Sequence, residues 1–402
     1  MIPFSPPRID DKIVDAVAEA LRSGWISTGP RTKLFEEKIS QFCGCPKTLC
    51  VSSCSAGLEL MLRWFGVGPG DEVIVPAYTY AATANVVVHC GAKPVFADAA
   101  TDFNIDVDKI ADLITENTKV IIPVDIAGWP CNYNALNEIV VRKDIREKFS
   151  PRSAEQTKLG RILVLADAAH SFGAKYHEKY SGQLADISVF SFHAVKNLTT
   201  AEGGAITLNL PLPFNNGEIY KYLCIKSLHG QTKDALAKMQ VGNWKYDIVE
   251  PGYKMNMTDI QAAMGLVELE RYENDHLVRR KQIFDLYSKI LGEYDWAQIP
   301  EYQNEKSCSS YHVYLLRIRN ISETQRDLIM QGIFSREVAV NVHFRPLPMM
   351  SYYRNEGYCI GDYPVAFHNF SCVISLPVFY NLTDDQVRTV SKAVIDSVKE
   401  NK

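Results

Sequence analysis

The stretch Ser191-Phe-His-Ala-Val-Lys-Asn-Leu-Thr-Thr-Ala-Glu-Gly-Gly204 decides the fold, because it places a lysine on a turn between two strands. The apolar run Ile187–Phe190 predicts the strand before the turn, and Ala205–Leu208 predicts the strand after it. Burying an ammonium group costs free energy and lowers its pKa. A lysine such as Lys196 is therefore suited to chemistry in which a neutral amine attacks a carbonyl carbon.

An aspartate, Asp167, stands at the end of the apolar run Arg161–Ala166, upstream of this lysine. A turn lysine and a strand-end aspartate match the way proteins hold pyridoxal phosphate (PLP). The lysine amine bonds to its aldehyde carbon, and a carboxylate pairs with its ring nitrogen. Each residue also has a simpler interpretation, since Lys196 alone fits a solvated turn and Asp167 alone fits a cap or turn former.

Together the two stretches resemble the signature of the DegT/DnrJ/EryC1/StrS family, the PLP-dependent sugar aminotransferases. The resemblance is carried by Asp-Ala-Ala-His-Ser, which begins at Asp167, and by the whole of Ser191–Gly204. It implies an α/β protein with the PLP-dependent transferase fold, fold type I. We expect a large domain over residues 1–255, with a mostly parallel seven-stranded sheet, and a smaller C-terminal α/β domain over residues 256–402.

The composition is that of a soluble protein: 402 residues, of which 47% are hydrophobic and 22% are charged. A net charge of −4 and a pI near 6.2 argue against nucleic acid or an anionic membrane as a partner. No apolar run has transmembrane length and the first residues lack signal-peptide features, so we expect a cytoplasmic protein. The ten cysteines are expected to be free thiols, and no metal site is predicted.

Apolar strands alternate with helices along the first half of the chain, which predicts a mostly parallel sheet covered on both faces. Ligands bind beyond the carboxyl ends of such strands. A polar stretch between Val141 and Gly160 resembles a surface insertion, and Thr258 and Gln261 fit a capping box before a long helix. The predicted strands are Leu49–Ser53, Glu72–Pro76, Pro94–Asp98, Lys119–Ile126, Leu163–Asp167, Ile187–Phe192 and Ala205–Leu208, with Tyr311–Arg317 and Val340–His343 in the smaller domain.

The resemblance implies roles for four residues around PLP. Lys196 would bond to the cofactor and then move a proton, as general base and then as acid. Asp167 would keep the ring nitrogen protonated, so that the ring can accept the electrons of a carbanion. His170 would orient the phenolic oxygen, and Ser191 would offer a hydroxyl to the phosphate.

A phosphate cradle and a stacking ring are also implied. Ser55 and Ala56 stand where the family binds the phosphate at a helix N-terminus, although this chain has Cys54 where glycine is common. Tyr80 aligns with the aromatic residue that stacks on the cofactor ring. Taken alone, Ser53 or Ser55 reads as an N-cap and Tyr80 as a core residue.

The resemblance also implies a dimer and a sugar-binding site, to which the remaining site residues belong. We expect a homodimer whose active site is shared across the interface, with Asn256 (first choice) or Lys254 (second choice) reaching the partner's PLP phosphate. The alternative for these two residues is a polar turn before a capped helix. Thr28, in the motif Trp25–Pro30, and His343 would contact the substrate.

The resemblance implies transfer of an amino group from L-glutamate to a nucleotide-linked keto sugar. His193, Thr199 and Thr200 favour C4 of a 4-keto-6-deoxy sugar over C3. Another fold-type-I PLP enzyme (a 3-keto sugar or amino-acid aminotransferase, or a lyase) and a non-catalytic PLP-fold regulator remain open. A Rossmann-type nucleotide-sugar oxidoreductase is disfavoured, because the glycine cluster Gly66–Gly70 precedes a strand instead of following one.

Overall fold

Short apolar strands form the centre of the fold. The computed structural model describes residues 1–233 and 245–402. Most of the strand residues are buried. The strands are β1 (Lys47–Val51), β2 (Glu72–Pro76), β3 (Lys93–Ala97), β4 (Thr118–Ile121), β5 (Leu163–Asp167), β6 (Lys175–Tyr176), β7 (Lys179–Tyr180), β8 (Ile187–Ser191), β9 (Gly204–Leu208), β10 (Ala297–Gln298), β11 (Ser307–Cys308), β12 (Tyr314–Ile318) and β13 (Val373–Leu376).

Seven of these strands form one sheet in the order β1-β9-β8-β5-β4-β2-β3. Strand β9 runs antiparallel to β1 and β8, and the other neighbours pair in parallel. Leu163 and Leu165 point into one hydrophobic core, whereas Val164 and Ala166 point into another on the opposite face. The predicted fold class, an α/β protein with a mostly parallel seven-stranded sheet, is confirmed.

Helices cover both faces of this sheet, and a smaller antiparallel sheet, β10-β12-β13, lies in the C-terminal part. Within the described ranges, no helix combines the length and apolar character needed to span a bilayer. The α-helices are Asp11–Arg22, Pro30–Cys43, Cys54–Trp64, Ala81–His89, Val107–Leu113, Tyr133–Val141, Lys143–Lys148, Ala154–Leu159, Asn216–Lys226, Asp259–Glu270, Leu277–Leu291, Glu323–Phe334, Ser351–Asn355, Pro364–Cys372 and Asp384–Asn401.

Three strand predictions differ from the structure by three residues or more. The predicted strand Tyr311–Arg317 begins only at Tyr314, because Tyr311 has a positive φ of 56° and is not extended. The run Lys119–Ile126 is a strand only as far as Ile121, because Pro123 has no N–H to continue the ladder. Val340–His343 is not a strand, since only Asn341 makes a bridge there, to Ser375. The Asn341 side chain accepts a hydrogen bond from the Val342 N–H at 2.8 Å, which offers the backbone an alternative to a ladder.

The polar stretch around residues 142–160 is tied to the body of the protein. It forms the short helices Lys143–Lys148 and Ala154–Leu159. Gln156 is fully buried, and its Nε2 donates to the Phe65 carbonyl at 3.0 Å, where Ser153 Oγ also donates at 2.9 Å. The stretch therefore satisfies the carbonyl that ends the helix Cys54–Trp64.

The buried carboxylate of Asp259 caps a helix other than its own. The helix Pro30–Cys43 begins after Gly29, which has no side chain to cap it. Asp259 Oδ1 accepts from the N–H groups of Gly29 and Thr32 at 2.8 and 2.9 Å, and Oδ2 accepts from that of Arg31 at 3.0 Å. The predicted capping box of Thr258 and Gln261 is also present, so it fixes the position of Asp259 at the start of the next helix.

We expect Asp259→Ala to lower the free energy of unfolding by about 3 kcal/mol, because three N–H groups, two of them buried, lose their acceptor. Urea unfolding followed by circular dichroism measures the change. Asp108→Ala is the matched control, since Asp108 is an exposed first-turn aspartate and its loss should cost less than about 0.5 kcal/mol. Equal losses in the two variants would contradict this capping role.

Candidate active site

A cavity of about 410 Å³ opens at the carboxyl edge of the large sheet. Strands β5 and β8 end at two of its residues, and the chain after β1 and β2 supplies several more, so parallel strand ends assemble the site. This volume lies in the range of small-molecule sites. Seven of the predicted residues line it together: Ser55, Tyr80, Asp167, His170, Ser191, Lys196 and His343.

Lys196 stands on a tight turn after β8. Its backbone N–H donates to the His193 carbonyl at 2.9 Å, and the Thr200 N–H donates to the Phe192 carbonyl at 2.9 Å. Burial lowers the pKa of the Lys196 ammonium to about 8, although Cys54 and Asp167 oppose this shift. The neutral fraction of this amine near neutral pH is therefore far larger than that of an ordinary lysine, whose pKa is 10.5.

Asp167 is the last residue of β5 and is only 5% exposed. Its Oδ2 accepts a hydrogen bond from Thr83 Oγ1 at 2.8 Å, and Thr83 in turn contacts Thr79 Oγ1 at 2.9 Å. Its Oδ1 accepts from the Ala169 N–H at 3.3 Å and from the Cys54 thiol at 3.6 Å. Burial raises the pKa of Asp167, whereas the hydrogen bonds from Thr83 and Ala169 act in the opposite direction.

Three histidines surround the lysine, and one of them was not predicted. His170 and His312 have ring centroids 4.4 Å apart, and His343 lines the same cavity. Burial, together with the Lys196 charge, lowers the pKa of all three imidazoles, that of His343 to about 4. His312 stood in the run predicted as a strand, Tyr311–Arg317, and no local motif singled it out.

The turn before the helix Cys54–Trp64 faces the cavity. Ser53 is the N-cap, and its Oγ accepts from the Ala56 N–H at 3.0 Å, so this amide of the predicted cradle already has a partner. Gly204 allows the close approach of this turn, because an added Cβ would lie 2.7 Å from the Cys54 nitrogen. Burial raises the pKa of Cys54 well above its usual value, so its thiol stays protonated.

Tyr80 and His343 contribute rings to the mouth of the cavity. Tyr80 is 64% exposed, so its alternative interpretation as a core residue is wrong. Its ring centroid lies 5.9 Å from that of Phe344. His343 Nδ1 lies 3.0 Å from Ser375 Oγ, which fixes the imidazole.

Four predicted site residues do not line this cavity: Ala56, whose N–H is bound to Ser53, and a group made of Thr28, Lys254 and Asn256. Asn256 Nδ2 donates to Thr28 Oγ1 at 2.6 Å, and Lys254 Nζ donates to Asn256 Oδ1 at 2.7 Å. Thr28 Oγ1 also donates to the Met257 carbonyl at 2.5 Å. These residues form a separate cluster, and their roles toward the cofactor and the substrate stay predictions.

Comparison with known proteins places the chain among aminotransferases. The model of the DegT/DnrJ/EryC1/StrS aminotransferase family matches residues 7–147 and 152–395, and the gap falls in the polar stretch described above. The uncharacterized protein MJ1066 of Methanocaldococcus jannaschii is 37% identical over 100% of this chain and 98% of its own. The spore coat polysaccharide biosynthesis protein SpsC of Bacillus subtilis is 34% identical over 99% of this chain and 97% of its own.

A solved structure extends the comparison to the cofactor. Spr1654 of Streptococcus pneumoniae, assigned as a sugar aminotransferase, was solved in a form with pyridoxamine phosphate (PMP). It is 45% identical to this chain, with a TM-score of 0.96 and 100% of each chain covered. Its PLP form is 42% identical, with a TM-score of 0.94, and covers 100% of this chain and 99% of its own.

The cofactor is PLP, on which the matched family depends. The residues of the cavity fit it, because a partly neutral lysine, a buried carboxylate and a helix N-terminus converge on a space of suitable volume. Lys196 would hold the aldehyde carbon and Asp167 the ring nitrogen, and Ser55 and Ser191 would lie near the phosphate. When bound, PLP supplies an electron sink for negative charge on a substrate carbon.

We expect the apoprotein to capture PLP faster as the pH rises through about 8, because only the neutral Lys196 amine attacks the aldehyde. Absorbance of the bound cofactor between roughly pH 6 and pH 10 measures the rate. Borohydride reduction and peptide mass analysis then locate the attachment. Lys196→Arg should abolish the tag, whereas Lys38→Arg, on an exposed helix face, should keep it. A midpoint near the ordinary value of 10.5, or a tag on another lysine, would contradict the assignment.

Proposed function

Because the chain belongs to the DegT/DnrJ/EryC1/StrS aminotransferase family, we propose that it transfers an amino group from L-glutamate to a nucleotide-linked keto sugar. The observation that carries this proposal is that the partly neutral Lys196 and the buried Asp167 line one cavity at the carboxyl edge of the large sheet. A sugar acceptor is supported by Spr1654, assigned as a sugar aminotransferase, and by SpsC, named for polysaccharide biosynthesis. The proposed position is C4 of a 4-keto-6-deoxy sugar.

Lys196 acts as the proton carrier of the reaction. In the first half-reaction its Nζ would take the proton from the α-carbon of glutamate and pass it to the cofactor carbon, and in the second it would move a proton from that carbon to the sugar carbon. A pKa of about 8 suits both directions, because a group that titrates near the working pH gives and takes protons with similar ease. Burial of the amine produces this pKa.

Asp167 and His170 would orient the cofactor ring. The Asp167 carboxylate would accept a hydrogen bond from the ring nitrogen and keep its proton in place, and Thr83 holds the orientation of that carboxylate. His170 Nδ1 accepts from the Ala127 N–H at 3.3 Å, which assigns the imidazole proton to Nε2. His170 can therefore donate a hydrogen bond to the phenolic oxygen.

The C4 position rests mainly on the resemblance of the lysine turn. Of its three indicator residues, His193 lines the cavity. The other two stabilise the turn, since Thr199 Oγ1 donates to the Phe192 carbonyl at 3.2 Å and Thr200 Oγ1 to the Glu202 carbonyl at 2.8 Å. A stable turn fixes where the amine points, which suits discrimination between neighbouring sugar carbons.

A homodimer is part of the proposal. Apolar side chains on the helix Asp11–Arg22 support it, because Val14 and Leu21 are each 53% exposed. Lys254 and Asn256 would reach the partner's PLP phosphate from their cluster beside Thr28. We assign residues 1–255 to the cofactor domain and residues 256–402 to the smaller domain. The reaction is placed in the cytoplasm, where free thiols such as the ten of this chain persist.

We expect Asp167→Asn to lower kcat by about 10²- to 10³-fold while PLP still attaches to Lys196, because the amide no longer favours a protonated ring nitrogen. Thr83→Val should lower kcat about tenfold, since one hydrogen bond to a charged group is lost. Steady-state kinetics and the absorbance of bound PLP measure the two effects separately. Thr157→Val, an exposed site away from the cavity, is the matched control. Loss of PLP in place of loss of turnover would refute the role of Asp167.

The acceptor is tested with a panel of 4-keto and 3-keto nucleotide sugars, incubated with the PLP-loaded protein and glutamate and analysed by mass spectrometry. We expect a gain of an amino group on 4-keto-6-deoxy sugars. Amination confined to 3-keto sugars would overturn the C4 assignment, and amination confined to 2-oxo acids would indicate an amino-acid aminotransferase. Cofactor absorbance that no amino donor changes would indicate a non-catalytic protein.

A further inference from the structure

The segment Ile2–Ser5, which we call the N-terminal strap, runs between the C-terminal part of the chain and the lysine turn. At one end the Ile2 N–H donates to the Glu337 carbonyl at 2.7 Å, and the Ile2 carbonyl accepts from the Ala339 N–H at 3.0 Å. At the other end Ser5 Oγ donates to the Val195 carbonyl at 3.2 Å. The strap therefore touches the residue immediately before Lys196.

The strap places an aromatic ring in the wall of the active-site cavity. Phe4 lines this cavity, and its ring is stacked on that of His343, with centroids 5.5 Å apart and planes 17° apart. The His343 ring contacts that of Phe344 at 5.1 Å, and Phe344 contacts Tyr80 at 5.9 Å. These four residues, Phe4, Tyr80, His343 and Phe344, form an aromatic rim on the cavity.

The position of Phe4 is fixed before any substrate binds. Two prolines follow the strap, and the chain is then anchored by Arg8, whose guanidinium donates to Asp275 at 2.7 Å and lies 3.9 Å from the Tyr380 ring centroid. Hydrogen bonds on both sides of Phe4 and the restricted backbone of proline limit its movement. A ring held in this way loses little conformational entropy when a ligand packs against it.

We propose that Phe4 recognises the acceptor sugar, and not the amino donor, by packing against the apolar C–H face of the sugar ring. This inference rests on the proposed function and deepens it. Glutamate carries charge at both ends, so the face of a phenyl ring offers it little, whereas a deoxy sugar presents C–H groups and a methyl group to an aromatic surface.

The test measures the two half-reactions separately in PLP-loaded protein. Glutamate converts the cofactor to its amino form, and a keto sugar aminated by the wild type, such as a nucleotide-linked 4-keto-6-deoxyhexose, converts it back. Both steps are followed by absorbance. We expect Phe4→Ala to lower kcat/KM for the sugar by about 10- to 100-fold, mainly through KM, and to change the glutamate half-reaction by less than about twofold.

Conservative variants separate recognition from a structural role. Phe4→Tyr keeps the ring and should restore the sugar half-reaction to within about threefold of the wild type, whereas Phe4→Leu should restore only part of it. Ser5→Ala keeps the ring but removes the hydrogen bond from the strap to the Val195 carbonyl. It should raise KM for the sugar by a few-fold. Phe367→Ala, in an exposed part of a distant helix, is the matched control.

Equal losses in both half-reactions, no loss in either, or failure of Phe4→Tyr to restore the sugar reaction would each overturn the inference. If Phe4→Ala does not fold, Phe4→Leu and Ser5→Ala carry the same comparison between half-reactions. Failure of the proposed function looks different, because the wild type would then react with glutamate but aminate no keto sugar. If the wild type aminates the sugar and Phe4→Ala is impaired only in the sugar half-reaction, the result bears on Phe4 alone.

Discussion

The structure depends on a carboxylate, Asp167, that is buried at the carboxyl end of β5 and held there by hydrogen bonds. Burial raises the pKa of this group, and the donors Thr83 and Ala169 oppose that shift. Because β5 lies between β4 and β8, its end is surrounded by neighbouring strand ends and not by solvent. The fold thus provides a hydrogen-bond acceptor of fixed direction, which is the group that the proposed contact with the ring nitrogen requires.

The cavity contains one basic amine, that of Lys196, among its described lining residues. Among the described residues that line it, Lys196 is the sole lysine or arginine, and the buried imidazoles of His170, His312 and His343 are neutral because burial lowers their pKa values. A histidinium beside Lys196 would push the lysine pKa further down, and the lysine charge has the same effect on these three histidines. Lys196 therefore titrates among neutral imidazoles, with a pKa of about 8.

The sequence was sufficient to predict features that depend on neighbouring residues or on a repeated pattern. Strand ends, the lysine turn and the capping box are encoded in short patterns, so Asp167, Ser191 and Lys196 fall where they were expected. Contacts between distant segments were missed: Thr83 lies 84 positions before Asp167, and His312 lies 115 positions after its partner Asn197. No periodicity reports such pairs, because tertiary packing creates them. The same limit explains why the strand predicted at residues 340–343 is wrong, since a side-chain hydrogen bond outcompetes the ladder there.

An electrostatic requirement of the cavity supports the proposed dimer. The PLP phosphate carries close to two negative charges, and the helix N-terminus at Ser55 supplies only a partial positive charge. Lys196 cannot serve the phosphate, because its amine is committed to the aldehyde carbon. The cluster of Thr28, Lys254 and Asn256 holds an ammonium and an amide that do not line the cavity of their own chain. A second copy that brought this cluster to the phosphate would supply the missing charge, and the exposed side chains of Val14 and Leu21 would give the two copies apolar surface on which to pack.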